Sequence, residues 1–263
     1  SSDIEENDMT SWAKSTGPQV GDAIKGKGRT IAVLPIGATE QHGPHLATGT
    51  DTMLAEAICA EACRRRNVLL LPSIPYGCSF GLSDAWPGTL SLSPETLTAV
   101  LCEIASWAIK ANGIDRLIFI SGHATNGPSI ESAILRLRYE FPEARFATRG
   151  LWEISAEALR LYTLDAADIH ANIAETSMVL ALDPECVEMD KAEDVEDVTI
   201  GLVWRYAMPA VTKNGVVGRP SESSASLGRE MLDAIIGDFE KLLEQAEHED
   251  WPEIPEPVKG GKV

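Results

Sequence analysis

Three nearly continuous apolar runs, residues 30–36, 68–74 and 116–120, constrain the fold of this chain more than any other feature. A strand with one face in water alternates apolar and polar residues, whereas a strand covered on both faces reads as an unbroken apolar run. Residues 52–66, 94–111, 129–140, 173–182 and 224–246 read as helices, and 145–152 as a further strand. Pro94 follows Ser93, at a position where a first helical turn tolerates proline. This alternation predicts an α/β fold, a mainly parallel sheet with helices on both faces. No internal repeat or linker interrupts it. Residues 1–263 are therefore expected to form a single domain, with 1–25 a peripheral lead-in and 247–263 a loosely held tail.

Composition narrows the partners. Twenty-two basic against 40 acidic residues give a net charge of −18, which argues against nucleic acid or an anionic membrane. Part of that charge is local: eight acids lie between Asp183 and Asp197 with Lys191 as their sole counter-charge, a pattern that reads as a solvated acidic loop. The chain contains no apolar run of membrane-spanning length, and the acidic opening Ser1–Glu6 is unlike a secretory signal, so a cytoplasmic enzyme is expected. Cys59, Cys63, Cys78, Cys102 and Cys186 form no Cys-x-x-Cys pair and are odd in number, which fits buried thiols better than a disulfide framework.

The chemistry collects just after the apolar runs. Glu40, His42, His45 and Asp51 follow the first, and His123 follows the third inside Ser121-Gly122-His123. His170 and Glu175 lie five residues apart where a helical pattern begins. Four of the five histidines fall in these segments; the fifth, His248, lies in a charged stretch and reads as solvated. Mixed carboxylate and imidazole donors suit Zn²⁺, Mn²⁺ or Fe²⁺. The carboxyl ends of strands in an α/β sheet are where such proteins place their sites, and the donors converge there if the first and third strands are neighbours.

With these segments in view, the chain resembles the creatininase (creatinine amidohydrolase) family. The likeness rests on Glu40-Gln41-His42-Gly43-Pro44-His45-Leu46 with Asp51, on Gly122-His123 with Asn126-Gly127, and on His170 with Glu175-Thr176-Ser177. Trp86-Pro87-Gly88-Thr89 and the glycine-rich stretch Gly215–Pro220 extend it, so that it covers about residues 30–240. The resemblance implies two divalent metal ions, zinc first and manganese or iron as alternatives, held by Glu40, His42, Asp51, His123 and Glu175. Asp51 is the implied bridge. A metal-bound hydroxide would attack an amide carbonyl, and His170 would carry the proton to the departing nitrogen; otherwise His170 orients Glu175. The family also implies a homo-oligomer, a hexamer.

Departures from the family pattern bear on the substrate. Creatinine-cleaving members carry an acidic residue two positions after the second-motif histidine, where this chain has Thr125, and a tryptophan shortly before the last histidine, where it has Leu164–Asp168. The segment Ser79–Asp84 also differs from its Ser-x-Glu-His counterpart. The expected substrate is therefore a small cyclic amide, formamide or related non-peptide amide, and the chain is not expected to be a creatininase in the narrow sense. Relatives include deformylases and a peptidase of cofactor biosynthesis. Two alternatives stand beside this reading: a two-metal phosphoesterase, with Arg149 and Arg219 as the available phosphate-binding cations, and a catalytically silent metal-binding member of the fold. Trp86 and Trp152 are candidates for an apolar wall over the substrate.

Overall fold

The computed structural model describes residues 11–25, 30–80 and 84–252. Four strands, β1 (Ile31–Ile36), β2 (Leu69–Leu70), β3 (Arg116–Ser121) and β4 (Arg145–Gly150), form one sheet in the order β2-β1-β3-β4, with every pairing parallel. All six residues of β1 and of β3 are buried, as their unbroken apolar runs require. Seven helices accompany the sheet among the described residues: α1 (Gly17–Ile24), α2 (Thr50–Arg66), α3 (Pro94–Lys110), α4 (Gly127–Glu140), α5 (Ala156–Tyr162), α6 (Ile173–Leu182) and α7 (Ala225–His248).

Two cores result, one on each face. Ile31, Val33, Ile118 and Ile120 point into a core completed by α2, α5, α6 and α7, with Leu54, Ile58, Met178, Ile235 and Phe239 among its members. Ala32, Leu34, Ile36, Leu117 and Phe119 point the other way, onto Leu97 and Leu101 of α3 and Ile130 and Leu137 of α4. A fully buried side chain of this size contributes about 1.5–3 kcal/mol. The sheet is thus fixed by apolar burial on both sides, which leaves its carboxyl edge free for polar groups.

Several expected boundaries shift, each for a local reason. The run 68–74 forms a ladder only at Leu69–Leu70 and touches the sheet again at Ile74, which pairs with Ile36. The carbonyls of Val33 and Pro35 face this side, accepting from Leu71 and Ile74. Pro35 has no N–H to return on this side, so the ladder breaks after Val33. β4 stops at Gly150 because 151–153 turn into a 3₁₀ helix, with the Glu153 carboxylate accepting from the Gly150 N–H at 2.8 Å. The lead-in contains α1, which begins with a capping box between Thr16 and Gln19 and a proline in its first turn. The short helix α5, capped by Ser155, is also absent from the sequence reading.

α7 runs past residue 246 into the expected tail. The Arg116 guanidinium donates to the carbonyls of Ala246 and Glu247, and Trp251 stacks on Arg145 at 3.8 Å. Residues 253–263 of that tail, like 1–10 of the lead-in, lie outside the described residues. Among the described residues, no helix is long and apolar enough to cross a membrane.

Candidate metal centre at the carboxyl edge

β1 and β3 are neighbours in register, Ile36 opposite Ser121, so the segments that leave them emerge side by side. Glu40 and His42 follow β1, and His123 follows β3. Asp51 joins them from the first turn of α2, where the exposed peptide N–H groups of a helix start favour a carboxylate. The approach is close. A Cβ on Gly122 would lie 2.2 Å from the Asp51 carbonyl oxygen, so only glycine lets the end of β3 pass the start of α2. Glu175 arrives from the first turn of α6, whose N-terminus is capped by the Asn172 side chain accepting from Ala174 and Glu175.

The five predicted ligands and His170 are all buried: Glu40 is 0% exposed, His42 1%, Asp51 2%, Glu175 4%, His123 6% and His170 7%. His42 Nδ1–H donates to the Glu40 carbonyl at 3.0 Å, which turns Nε2 toward Asp51 Oδ1 at 3.1 Å and Glu175 Oε2 at 4.0 Å. His123 Nδ1 lies 3.1 Å from Glu40 Oε2 and 3.2 Å from Asp51 Oδ2. Asp51 therefore gives one oxygen to each histidine. Ligand atoms converge in three groups: Glu40, Asp51 and His123; His42, Asp51 and Glu175; and Glu40, His42 and His170.

The residues fit a divalent cation. Three carboxylates buried within one cluster carry a desolvation cost of several kcal/mol each unless positive charge offsets it. Asp51 Oδ2 is buried without a hydrogen bond of acceptable geometry. In the metal-free protein the imidazoles supply what positive charge there is. Burial alone would depress the His42 pKa, but Asp51, Glu175 and Glu40 together push it up to about 10. His123, likewise buried, is raised to about 8 by Glu40 and Asp51. Burial pushes Glu175 up to about 7. Burial opposes ionisation of Asp51 too, yet His42 and His123 hold its carboxyl well below the usual range.

His170 borders the cluster, grouped with Glu40 and His42. Its Nε2 lies 2.9 Å from the Gln41 carbonyl and 3.1 Å from the Gln41 side-chain nitrogen, and its ring is tilted over His42 with centroids 4.5 Å apart. Burial and the nearby His42 lower its pKa to about 4, which keeps it neutral. It does not orient Glu175. That role falls to the Ala171 N–H, which donates to Glu175 Oε2 at 2.6 Å. Ala171 has φ +51, a left-handed conformation rare for a residue with a Cβ.

Other residues singled out in the sequence fall outside the ligand cluster. His45 bonds through Nε2 to Thr176 Oγ1 at 2.9 Å. Trp152, partly buried, packs edge-on against Tyr162 at 6.1 Å and against the core. Trp86 packs on a small cluster of Ala166, Met208 and Val217. Two contacts escaped the sequence reading: Ser79 and Thr125 both reach His123 Nε2, at 3.1 and 2.6 Å. Both were visible there only within departures from the family pattern, Thr125 singly and Ser79 in the segment Ser79–Asp84, and neither spacing shows a contact with His123.

Fold and donor set together define a class: an α/β protein with a candidate metal centre at the carboxyl edge of its sheet. The family model for creatininase, described as creatinine amidohydrolase, matches residues 13–243, and the chain belongs to this family of hydrolases. It is 32% identical over 223 residues to the mycofactocin precursor peptide peptidase of Mycobacterium ulcerans, a match covering 78% of this chain and 81% of that protein. It is 30% identical over 182 residues to the creatinine amidohydrolase of Pseudomonas putida, covering 64% of this chain and 70% of that one. The crystal structure of creatininase aligns with a TM-score of 0.79 at 25% identity, over 92% of this chain and 99% of that chain. A manganese creatininase and a mutant creatininase of zinc–zinc type share the fold, with TM-scores of 0.79 and 0.78 at 24% and 23% identity.

Proposed function

We propose that this chain is a metal-dependent amidohydrolase that cleaves the C–N bond of a small amide with two divalent cations, zinc first and manganese or iron as alternatives. Glu40, Asp51 and His123 would hold one cation, and His42, Asp51 and Glu175 the other, with Asp51 shared. The observation that carries this reading is the division of Asp51: Oδ1 faces His42 at 3.1 Å while Oδ2 faces His123 at 3.2 Å. Cations so held lower the pKa of bound water to about 7 and stabilise negative charge developing on a carbonyl oxygen.

The chain's own groups supply the rest. His42 is kept in one orientation by the Glu40 carbonyl, and Glu175 by the Ala171 N–H. His170, neutral and held by Gln41, would take a proton and deliver it to the leaving nitrogen, because an amide anion is a poor leaving group. Cyclic amides and formamides are the substrates of first choice. The peptidase among the relatives places short peptides on the same panel. A phosphoester substrate is disfavoured, because Arg149 bonds to the Thr148 carbonyl and Arg219 pairs with Glu222 at 3.4 Å. Assembly into a homo-oligomer is part of the proposal, supported by a run of exposed apolar residues, Ile200, Leu202, Val203, Trp204 and Tyr206.

Elemental analysis of protein purified without chelator or nickel column, paired with an amide-hydrolysis screen, tests the reading. About two transition ions per chain and turnover of a C–N bond are expected. Absence of metal after reconstitution with Zn²⁺ and Mn²⁺ refutes it.

A further inference from the structure

His123 can offer Nδ1 to a cation between Glu40 and Asp51 only if its proton sits on Nε2, and whatever binds that proton decides how firmly the ring is set. Three oxygens surround Nε2: Thr125 Oγ1 at 2.6 Å, Ser79 Oγ at 3.1 Å and the Cys78 carbonyl at 3.3 Å. Thr125 is the nearest by half an ångström. Its hydroxyl also contacts the Cys78 carbonyl, which can only accept. The hydroxyl proton is thereby committed to Cys78, and the Thr125 oxygen is left to accept from Nε2–H.

Both ends of this chain of hydrogen bonds are anchored. Thr125 sits in the 3₁₀ turn Ala124–Asn126 directly after His123. The neighbouring Asn126 accepts from the Cys78 N–H at 2.8 Å and donates to the Gly37 carbonyl at 2.9 Å, tying the Cys78 segment to the end of β1. Gly77 makes that approach feasible, since a Cβ there would lie 2.5 Å from the Gly37 carbonyl oxygen.

We propose that Thr125 is a positioning residue for His123: the relay His123 Nε2–H to Thr125 Oγ1, and Thr125 hydroxyl to the Cys78 carbonyl, fixes the Nε2–H tautomer and aims Nδ1 at the cation shared with Glu40 and Asp51. The inference rests on the two-cation reading above and adds an asymmetry to it. Only the ion in the Glu40–Asp51–His123 group depends on Thr125. The ion of the His42–Asp51–Glu175 group touches none of these residues except through Asp51. A threonine here is also neutral, so it orients the ring without adding a further carboxylate to the three already buried.

The test uses Thr125→Val, which keeps the shape and removes the hydroxyl, beside Thr125→Ser, which keeps the hydroxyl. Zn²⁺ affinity is read by chelator competition, and the Nε2–H hydrogen bond of His123 by its proton shift in the Zn²⁺-loaded protein. In Thr125→Val one of the two Zn²⁺ sites is expected to weaken by about 10–100-fold while the other holds, and Thr125→Ser keeps both. The Nε2 proton is expected downfield in wild type and Thr125→Ser, and shifted upfield in Thr125→Val. Unchanged affinities in Thr125→Val, or an unchanged Nε2 proton shift, overturn the proposal. Wild-type protein that binds no metal would sink the amidohydrolase reading, whereas a wild type with two ions and an unaffected Thr125→Val sinks this inference alone.

Discussion

Replacing Asp51 by asparagine removes one charge from the middle of the cluster while keeping its shape, and the geometry sets the size of the effect. A unit charge 3.1 Å from His42 Nε2 is worth about 5 kcal/mol at an effective dielectric near 20. At about 1.4 kcal/mol per pKa unit this corresponds to roughly four units. His42 in the metal-free protein is therefore expected to fall from about 10 to near its ordinary value or below. The assay is an NMR titration of the His42 ring protons in wild type and Asp51→Asn after removal of metal.

Stability should follow with a definite sign. A histidine whose pKa is raised on folding stabilises the native state fully below about pH 6.5 and loses that contribution as pH rises through the folded value, here about 10. The metal-free wild type should thus lose thermal stability between about pH 6.5 and 10, and Asp51→Asn should lose much less over the same window. The same substitution withdraws a ligand from both cation groups, so metal content should drop by more than one ion per chain. A variant that titrates His42 near pH 10, or that retains two ions, refutes the central placement of Asp51.

Three further outcomes follow from the same geometry. His170→Ala should keep its metal and lose roughly 10²–10⁴-fold in turnover, since it leaves the Glu40–Asp51–His123 and His42–Asp51–Glu175 groups intact; unchanged turnover on a confirmed amide substrate removes it as the proton carrier. Loading the metal-free protein with Zn²⁺ at pH 7 in weak buffer should release about two to three protons per chain, because His42 near 10, His123 near 8 and the half-protonated Glu175 near 7 must all shed their protons to bind metal; a pH-stat trace showing no release contradicts their role as ligands. Gly122→Ala should destabilise the fold by about 1–3 kcal/mol and weaken metal binding together, because its new Cβ would meet the Asp51 carbonyl oxygen at 2.2 Å; denaturant melts matching the wild type would show that the approach is not tight.

The sheet was legible because burial on both faces leaves a compositional trace: β1 and β3 were located within a residue from their apolar runs alone. Where tertiary context decided the outcome, the sequence reading failed. Residues 68–74 are as apolar as the other runs, yet Pro35 on the neighbouring strand has no N–H to offer and cuts the ladder, a relation no local window contains. α1 and α5 are short, eight and seven residues, and their capping signals at Thr16 and Ser155 were overlooked for lack of a long apolar stripe.

The candidate site divides along the same line. Its candidate ligands stood out because carboxylate and imidazole are the side chains that suit such a cation, and because two of the three segments that carry them directly follow a strand. What could not be read is what holds the ligands still. The orienting partners of His42, His123, His170 and Glu175 include the backbone groups of Glu40, Cys78, Gln41 and Ala171, and a backbone group has no residue type to recognise. The side chains that join them, Thr125 and Ser79, are common polar residues whose position alone gives them meaning. The donor set therefore marks a candidate metal centre, whereas tautomer, ring orientation and substrate preference depend on contacts that appear only once β1, β3 and the start of α2 are side by side.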